Sequence, residues 1–181
     1  MEIPRSIVDK CRQGDESAQH SLYQYYASTM YGVCLRYFPD SCMAQDIMQE
    51  GFVKVFESIK SFRFEGSLEG WIRRIMVNTA LEFHRKSNSE KEVAIDEAVL
   101  LQNDEDEISL DYQQLLALVA ELPTQYRMVF NLYAIEGYSH AEIGDLLAIS
   151  ESTSKSNYSR AKGILREKLN RIRKYDRYAF L

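Results

Sequence analysis

Seven residues near the end of the 181-residue chain combine types and spacing that suit one kind of chemistry. Ser152, Thr153, Lys155, Ser156, Ser159, Arg160 and Lys162 place short hydroxyls and cations on one outer face of a helix predicted from about Glu151 to Ile172. Hydroxyls at a helix start can meet base edges in a major groove, while lysine and arginine hold phosphates, so the chemistry is recognition rather than bond breaking. A solvated helix face would show the same charges.

A second set lies in the first half. Ser61, Phe62, Arg63, Phe64, Glu65, Gly66 and Ser67 form an aromatic and basic loop, followed by a predicted helix from about Leu68 to Arg85 with Trp71, Arg73, Arg74, Asn78 and Arg85. Aromatic faces stack on unpaired bases, guanidiniums hold phosphates and an asparagine amide reads a base edge, so Phe62, Phe64, Trp71, Arg74, Asn78 and Arg85 suit single-stranded nucleic acid. Ile72, Ile75, Met76 and Thr79 make an apolar stripe that Trp71 could simply join. On the preceding helix, about Met43 to Ser61, Ala44, Ile47, Met48, Phe52, Val55, Phe56 and Ile59 follow the spacing of a buried face. Asp46, Gln49, Glu50 and Val53 form a separate stripe, either a solvent face or a surface that docks another protein.

Catalysis has no foothold. His20, His84 and His140 are scattered, with no nucleophile–base set and no phosphate-cradling glycine loop. Cys11, Cys34 and Cys42 are odd in number and lack C-x-x-C spacing, so reduced thiols are expected rather than a disulfide framework or a zinc site.

The elements that must position these residues are helices. Apolar residues recur at helical spacing almost throughout, and only three prolines and eight glycines interrupt them, which predicts an all-α protein. The first helices run from about Arg5 to Arg12 and Ser17 to Tyr37, the second stopping at Phe38-Pro39-Asp40. Later ones are expected at about Gln113 to Leu122, broken by Pro123, and Gln125 to Glu136, ended by Gly137. Ser139-His140-Ala141-Glu142 then reads as a capping box opening a short helix with Ile143, Leu146 and Leu147 on one face. In the turn Ala148-Ile149-Ser150, the small residue permits close packing, Ile149 plugs the space between helices and Ser150 caps the next one. From Ser139 to about Lys168 this is a helix-turn-helix, with Ala161, Ile164, Leu165, Leu169 and Ile172 facing inward.

Charge is divided unevenly. Residues 1–86 carry 11 basic and 11 acidic side chains, residues 87–111 carry 1 and 9, and residues 112–181 carry 10 and 7. The overall net charge of −5 therefore hides a cationic C-terminal stretch, Lys155 to Leu181, with 9 basic and 2 acidic residues. Periodicity fails between Ser87 and Asp111, so two small helical domains, 1–86 and 112–181, are expected on either side of an acidic linker, 87–111. The linker is either an ordinary solvated run or a polyanion that occupies a cationic nucleic-acid channel. No apolar run approaches the ~18 residues that span a bilayer, and no secretory signal opens the chain, so no membrane insertion and a cytoplasmic location are expected.

Taken in order, Ala44 to Phe52, Ser61-Phe62, Trp71 to Asn78, Arg85, Leu122-Pro123, Arg127, Glu136 to Ser139, Glu142-Ile143, Leu146-Leu147, Ile149-Ser150, Thr153, Lys155-Ser156 and Arg160-Ala161 resemble the extracytoplasmic-function sigma factors of bacterial RNA polymerase. The resemblance covers nearly the whole chain. It implies that Asp46, Gln49, Glu50 and Val53 dock on the clamp helices of the polymerase's largest subunit. It places Asn78, with the loop at about Lys86 to Glu92, where the family captures an extruded base of the minus-ten element, and Phe62, Phe64, Trp71, Arg74 and Arg85 in the surrounding minus-ten melting site, Trp71 serving as both core and pocket edge. The helix from Glu151 would grip the minus-thirty-five element, and the linker would lie along the RNA exit path. Implied partners are core polymerase, through clamp helices and flap, promoter DNA and a cognate anti-sigma factor, with no cofactor, metal or catalysis of the chain's own. Departures fall at Ser154, where the family usually has an aliphatic residue, at Asn157, often basic, at Tyr158, where leucine or isoleucine is common, and at Ile72, usually leucine. A stand-alone regulator with a related helix-turn-helix, and a decoy that sequesters a sigma inhibitor, are the competing readings.

Overall fold

Short carboxylates and prolines decide where the helices of the first unit begin and end. In the computed structural model, which describes the backbone of residues 3–90 and 110–179 and the side chains of 3–87 and 115–170, α1 (Arg5–Arg12) starts directly after Pro4. Proline costs nothing there because a first-turn amide has no intrahelical partner. The Asp15 carboxylate accepts from the Ala18 amide at 2.8 Å and opens α2 (Glu16–Tyr37). Asp40 does the same for α3 (Ser41–Ser58) through the Met43 amide at 2.8 Å, two residues ahead of the expected start. A single 3-10 turn, Ile59–Ser61, finishes that helix. After the aromatic loop, α4 (Leu68–Glu90) runs five residues past the expected Arg85. Its start is held by Ser67, whose hydroxyl accepts from the Gly70 amide at 3.0 Å.

Leu22, Met30 and Tyr37 of α2, Ile47 and Val55 of α3, and Ile72, Met76 and Leu81 of α4 are fully buried together and form this unit's core. The predicted inner face of α3 is there, with Phe56 half-buried at its margin. Arg12 ties α1 to the segment after α3: its guanidinium donates to the Phe62 carbonyl and, at 3.5 Å, to the Ile59 carbonyl.

The second unit contains α5 (Leu110–Ala120), α6 (Thr124–Phe130), α7 (His140–Leu147) and α8 (Glu151–Ala179). Between α5 and α6 the Arg127 guanidinium, nearly buried, donates to the carbonyls of Ala120 at 3.0 Å and Leu122 at 2.7 Å. It satisfies acceptors that the end of α5 leaves without helical partners. The single helix expected from Gln125 to Glu136 is not uniform, because α6 widens into a π-helical turn over Asn131–Ile135. Its carbonyls are used by the chain that follows, the Glu136 amide donating to Asn131 at 3.0 Å and the Tyr138 amide to Leu132 at 2.9 Å.

The capping box forms as expected: the Ser139 amide donates to Glu142 Oε2 at 2.8 Å and the Glu142 amide to Ser139 Oγ at 3.3 Å. Hydrogen bonds from the Ser139 hydroxyl and amide hold the Glu142 carboxyl below its ordinary pKa. Ser150 Oγ accepts from the Thr153 amide at 3.0 Å, the cap predicted for α8. The close approach in the turn, however, is made by a different residue. A Cβ on Gly144 would lie 2.8 Å from the Ile149 carbonyl oxygen, so Gly144, not Ala148, permits the packing. Ile149 is half-buried rather than a full plug. Ala148 instead takes the left-handed conformation, φ 54°, that ends α7. Such a residue stores on the order of 1 kcal/mol of backbone strain. Ala148→Gly is therefore expected to raise the stability of this unit by up to about 1 kcal/mol, read from the midpoint of denaturant unfolding.

Ala161 and Leu165 of α8 are buried against Val119 and Leu122, with Ile164 and Leu169 packed alongside. The inward placement expected of Ile172 and the linker core, 91–109, lie outside the described side chains and residues respectively. Among the described residues no helix is long and apolar enough to cross a membrane, and every regular element is helical.

Candidate nucleic-acid interface

The α8 face chosen from sequence is open. Ser152, Thr153, Lys155, Ser156, Ser159, Arg160 and Lys162 are all exposed, while Ser154, Asn157, Ala161 and Leu165 recur three and four apart on the inward side. Ser150 Oγ lies 2.8 Å from Ser152 Oγ and 2.7 Å from Thr153 Oγ1, so the hydroxyls over the first turn form one cluster. Each cation is lightly held. Lys155 pairs with Glu151 at 2.6 Å, which lowers the Glu151 pKa. Arg160 donates to the Tyr126 hydroxyl at 3.4 Å, and the Lys162 ammonium sits 4.6 Å from the Tyr158 ring centre. Exposed pairs of this kind are worth at most about 1 kcal/mol, so an arriving phosphate can displace them.

In the first unit, Arg74, Asn78 and Arg85 are exposed on one side of α4 at spacings of four and seven. A row of rings leads into that stripe: Phe64 to Phe62 at 4.9 Å between centres, and Phe62 to Trp71 at 5.4 Å. Trp71 and Phe64 are half-buried, but Phe62 is only 5% exposed. Phe62 therefore packs against its two neighbours and exposes little of its own ring, so that Phe64 and Trp71 offer the accessible aromatic surface. Phe64 has φ 59°, and the guanidiniums of Arg5 and Arg12 lie 5.0 and 4.8 Å from its ring centre. These cation–π contacts compensate a backbone conformation that a bulky residue rarely adopts.

The stripe on α3 is exposed at Asp46, Gln49, Glu50 and Val53, and Val53, at 52% exposure, is an apolar residue open to solvent amid polar ones. Lys54 bridges Glu50 at 3.7 Å and Glu82 of α4 at 2.7 Å, fixing the stripe to the core behind it.

Comparison with known families matches both halves. The family described as Sigma-70 region 2 matches residues 22–90, and Sigma-70, region 4 matches residues 112–165. The RNA polymerase sigma-H factor of Pseudomonas aeruginosa is 25% identical, the alignment covering 89% of this chain and 91% of that protein. The ECF RNA polymerase sigma factor SigW of Bacillus subtilis is 27% identical, over 90% of this chain and 94% of that one.

The chain belongs to the extracytoplasmic-function sigma factors.

Its fold agrees with that of the sigma factor RpoE in the co-crystal with the anti-sigma factor NepR from Bartonella quintana, at a TM-score of 0.54 and 20% identity, covering 83% of this chain and 96% of that one. Within this sigma factor the region 2 match contains the α3 stripe, the aromatic loop and α4, and the region 4 match contains the helix-turn-helix through Leu165. The α1 helix precedes both matches, yet its Arg5 and Arg12 hold the aromatic loop. Sequence reasoning missed that role because neither arginine shares a periodic stripe with the loop. Gly144 was also missed, although a glycine inside an eight-residue helix is itself a signal of close backbone approach.

Proposed function

We propose that this sigma factor binds core RNA polymerase and directs promoter-specific initiation, reading two promoter elements with its two units. The observation that carries the reading is the presence on one chain of two different exposed faces whose residue types suit nucleic acid, each inside its own sigma-family match. The α8 face of short hydroxyls and displaceable cations suits duplex DNA, here the minus-thirty-five element. The Phe64–Trp71 row and the Arg74, Asn78 and Arg85 stripe suit an unstacked strand, here the non-template strand of the minus-ten element. Extruding a base costs a few kcal/mol, which stacking on Trp71 or Phe64 and an amide contact from Asn78 offset.

Asp46, Gln49, Glu50 and Val53 dock on the clamp helices of the largest subunit, the second unit meets the flap, and residues 87–111 act as the acidic linker between domains 1–86 and 112–181. Polymerase supplies the chemistry, so the chain is not itself an enzyme, needs no cofactor and works in the cytoplasm. The co-crystal of the related fold with an anti-sigma factor supports a cognate anti-sigma factor as a further partner.

Run-off transcription on fragmented genomic DNA with added core enzyme tests the whole reading. Discrete start sites that require this chain are expected; a protein that neither co-elutes with core enzyme nor directs starts is a stand-alone regulator instead. Arg160→Ala should weaken promoter binding and lower the slope of log affinity against log salt by about 1, the signature of one lost phosphate contact. An unchanged slope removes Arg160 from the phosphate-binding set.

A further inference from the structure

The departures from the family pattern at Ser154 and Tyr158 meet at one imidazole. Ser154 is completely buried on the inward side of α8, and its Oγ lies 2.9 Å from Nδ1 of His140, one donating to the other according to the tautomer. The His140 ring is stacked on Tyr133, with centres 4.2 Å apart and planes inclined by 9°. Tyr158, one turn beyond Ser154, lies 5.8 Å from His140 and 4.5 Å from Tyr133, between ring centres. Tyr133 belongs to the π-helical turn, His140 is the first residue of α7, and Ser154 and Tyr158 lie on consecutive turns of α8. Three elements thus converge on one ring.

An aliphatic residue at 154 would fill the same space without fixing direction, because apolar contact is non-directional. A hydrogen bond weakens steeply with distance and angle. Contact at both 154 and 158 therefore opposes rolling and sliding of α8 about its own axis. At the ~5–6 Å radius of helix side chains, a roll of about 10° moves a side-chain tip by about 1 Å. Recognition needs positioning to about 0.5 Å. Ser152, Thr153 and Ser156, exposed on the outer face of the same turns, are the residues such a roll would displace.

We infer that Ser154 and His140 are a positioning pair that sets how sharply α8 discriminates among DNA sequences, without either residue contacting DNA. The inference rests on the promoter-reading function proposed above. The test uses the chain reconstituted with core polymerase and a duplex library randomised across the upstream element, sequenced after selection. The variants are Ser154→Ala, which removes the hydroxyl and adds no bulk at a buried position, His140→Phe, which keeps the stacked ring and loses Nδ1, and the two combined. Each single variant is expected to lower the preference for selected over unselected duplex by about tenfold, the double variant no further, with affinity for unselected duplex and its salt slope unchanged. A structural defect would instead weaken selected and unselected duplexes alike, and that outcome overturns the inference. Undiminished discrimination in both single variants, or additive losses in the double, also overturns it while leaving the sigma-factor reading intact. Absence of any sequence preference in the unaltered protein would overturn both.

Discussion

Gly144→Ala is expected to cost the second unit about 2 kcal/mol of stability, whereas Gly163→Ala on the neighbouring helix should add about 1 kcal/mol. Both glycines lie inside helices, where alanine is intrinsically preferred by about 1 kcal/mol. Their surroundings differ. A Cβ at 163 meets nothing within 4 Å, while one at 144 meets the Ile149 carbonyl oxygen at 2.8 Å, the Glu151 nitrogen at 3.6 Å and the Ser150 carbonyl carbon at 3.8 Å. All three are main-chain atoms, so no side chain can swing away to accept the methyl. Overpacking of this kind costs roughly 1–3 kcal/mol, occasionally more, and must exceed the propensity gain. The turn would have to open, pulling the Ser150 cap from α8 and weakening promoter binding. Trp71 is the only tryptophan and reports the first unit, so its fluorescence transition should stay fixed in denaturant while the helical signal of the second unit moves. Stabilisation by both substitutions would show that the turn has slack at Gly144.

Asn78→Ala should slow promoter opening by ten- to a hundredfold while leaving unfolding and association with core polymerase unchanged. Asn78 is exposed, so its loss removes no packing and creates no cavity. An amide that makes a paired contact to a base edge is worth about 1–3 kcal/mol, which corresponds to that range of rates if the contact is made as the base leaves the stack. Permanganate reactivity of unpaired thymines, followed with time on a promoter fragment, measures opening directly. Normal opening by a stable Asn78→Ala protein would remove this residue from the melting site.

The parts of the molecule legible in its sequence were those governed by local rules. Caps at Ser139 and Ser150, the stop at Pro39 and the inner face of α3 each depend on residues within about one turn, and each formed as expected. The exposed placement of the seven α8 residues followed from helical phase alone. What escaped depends on packing and backbone geometry that residue type and spacing do not announce. Phe62 looks like an exposed loop aromatic until Phe64 and Trp71 are found around it. The π-helical turn leaves no local mark, since Asn131 to Ile135 continue a normal helical pattern. Ser154 and Asn157 are both buried on the inward side of α8, a placement that their polar residue types do not announce. Identity by family pattern survived these errors because it uses many positions at once, whereas the geometry of the site depends on single ones.

The attachment of α1 to the aromatic loop bears on how this protein can be recombined with its relatives. Arg12 reaches the carbonyls of Ile59 and Phe62 and, with Arg5, the face of Phe64, across a separation of about fifty positions in sequence. A hybrid joined anywhere between α1 and the loop would match one parent's arginines with the other parent's ring. The smallest exchangeable cassette in the first half therefore extends from the leading helix through Phe64, and a crossover after Ser67 respects it where one after Gly14 does not.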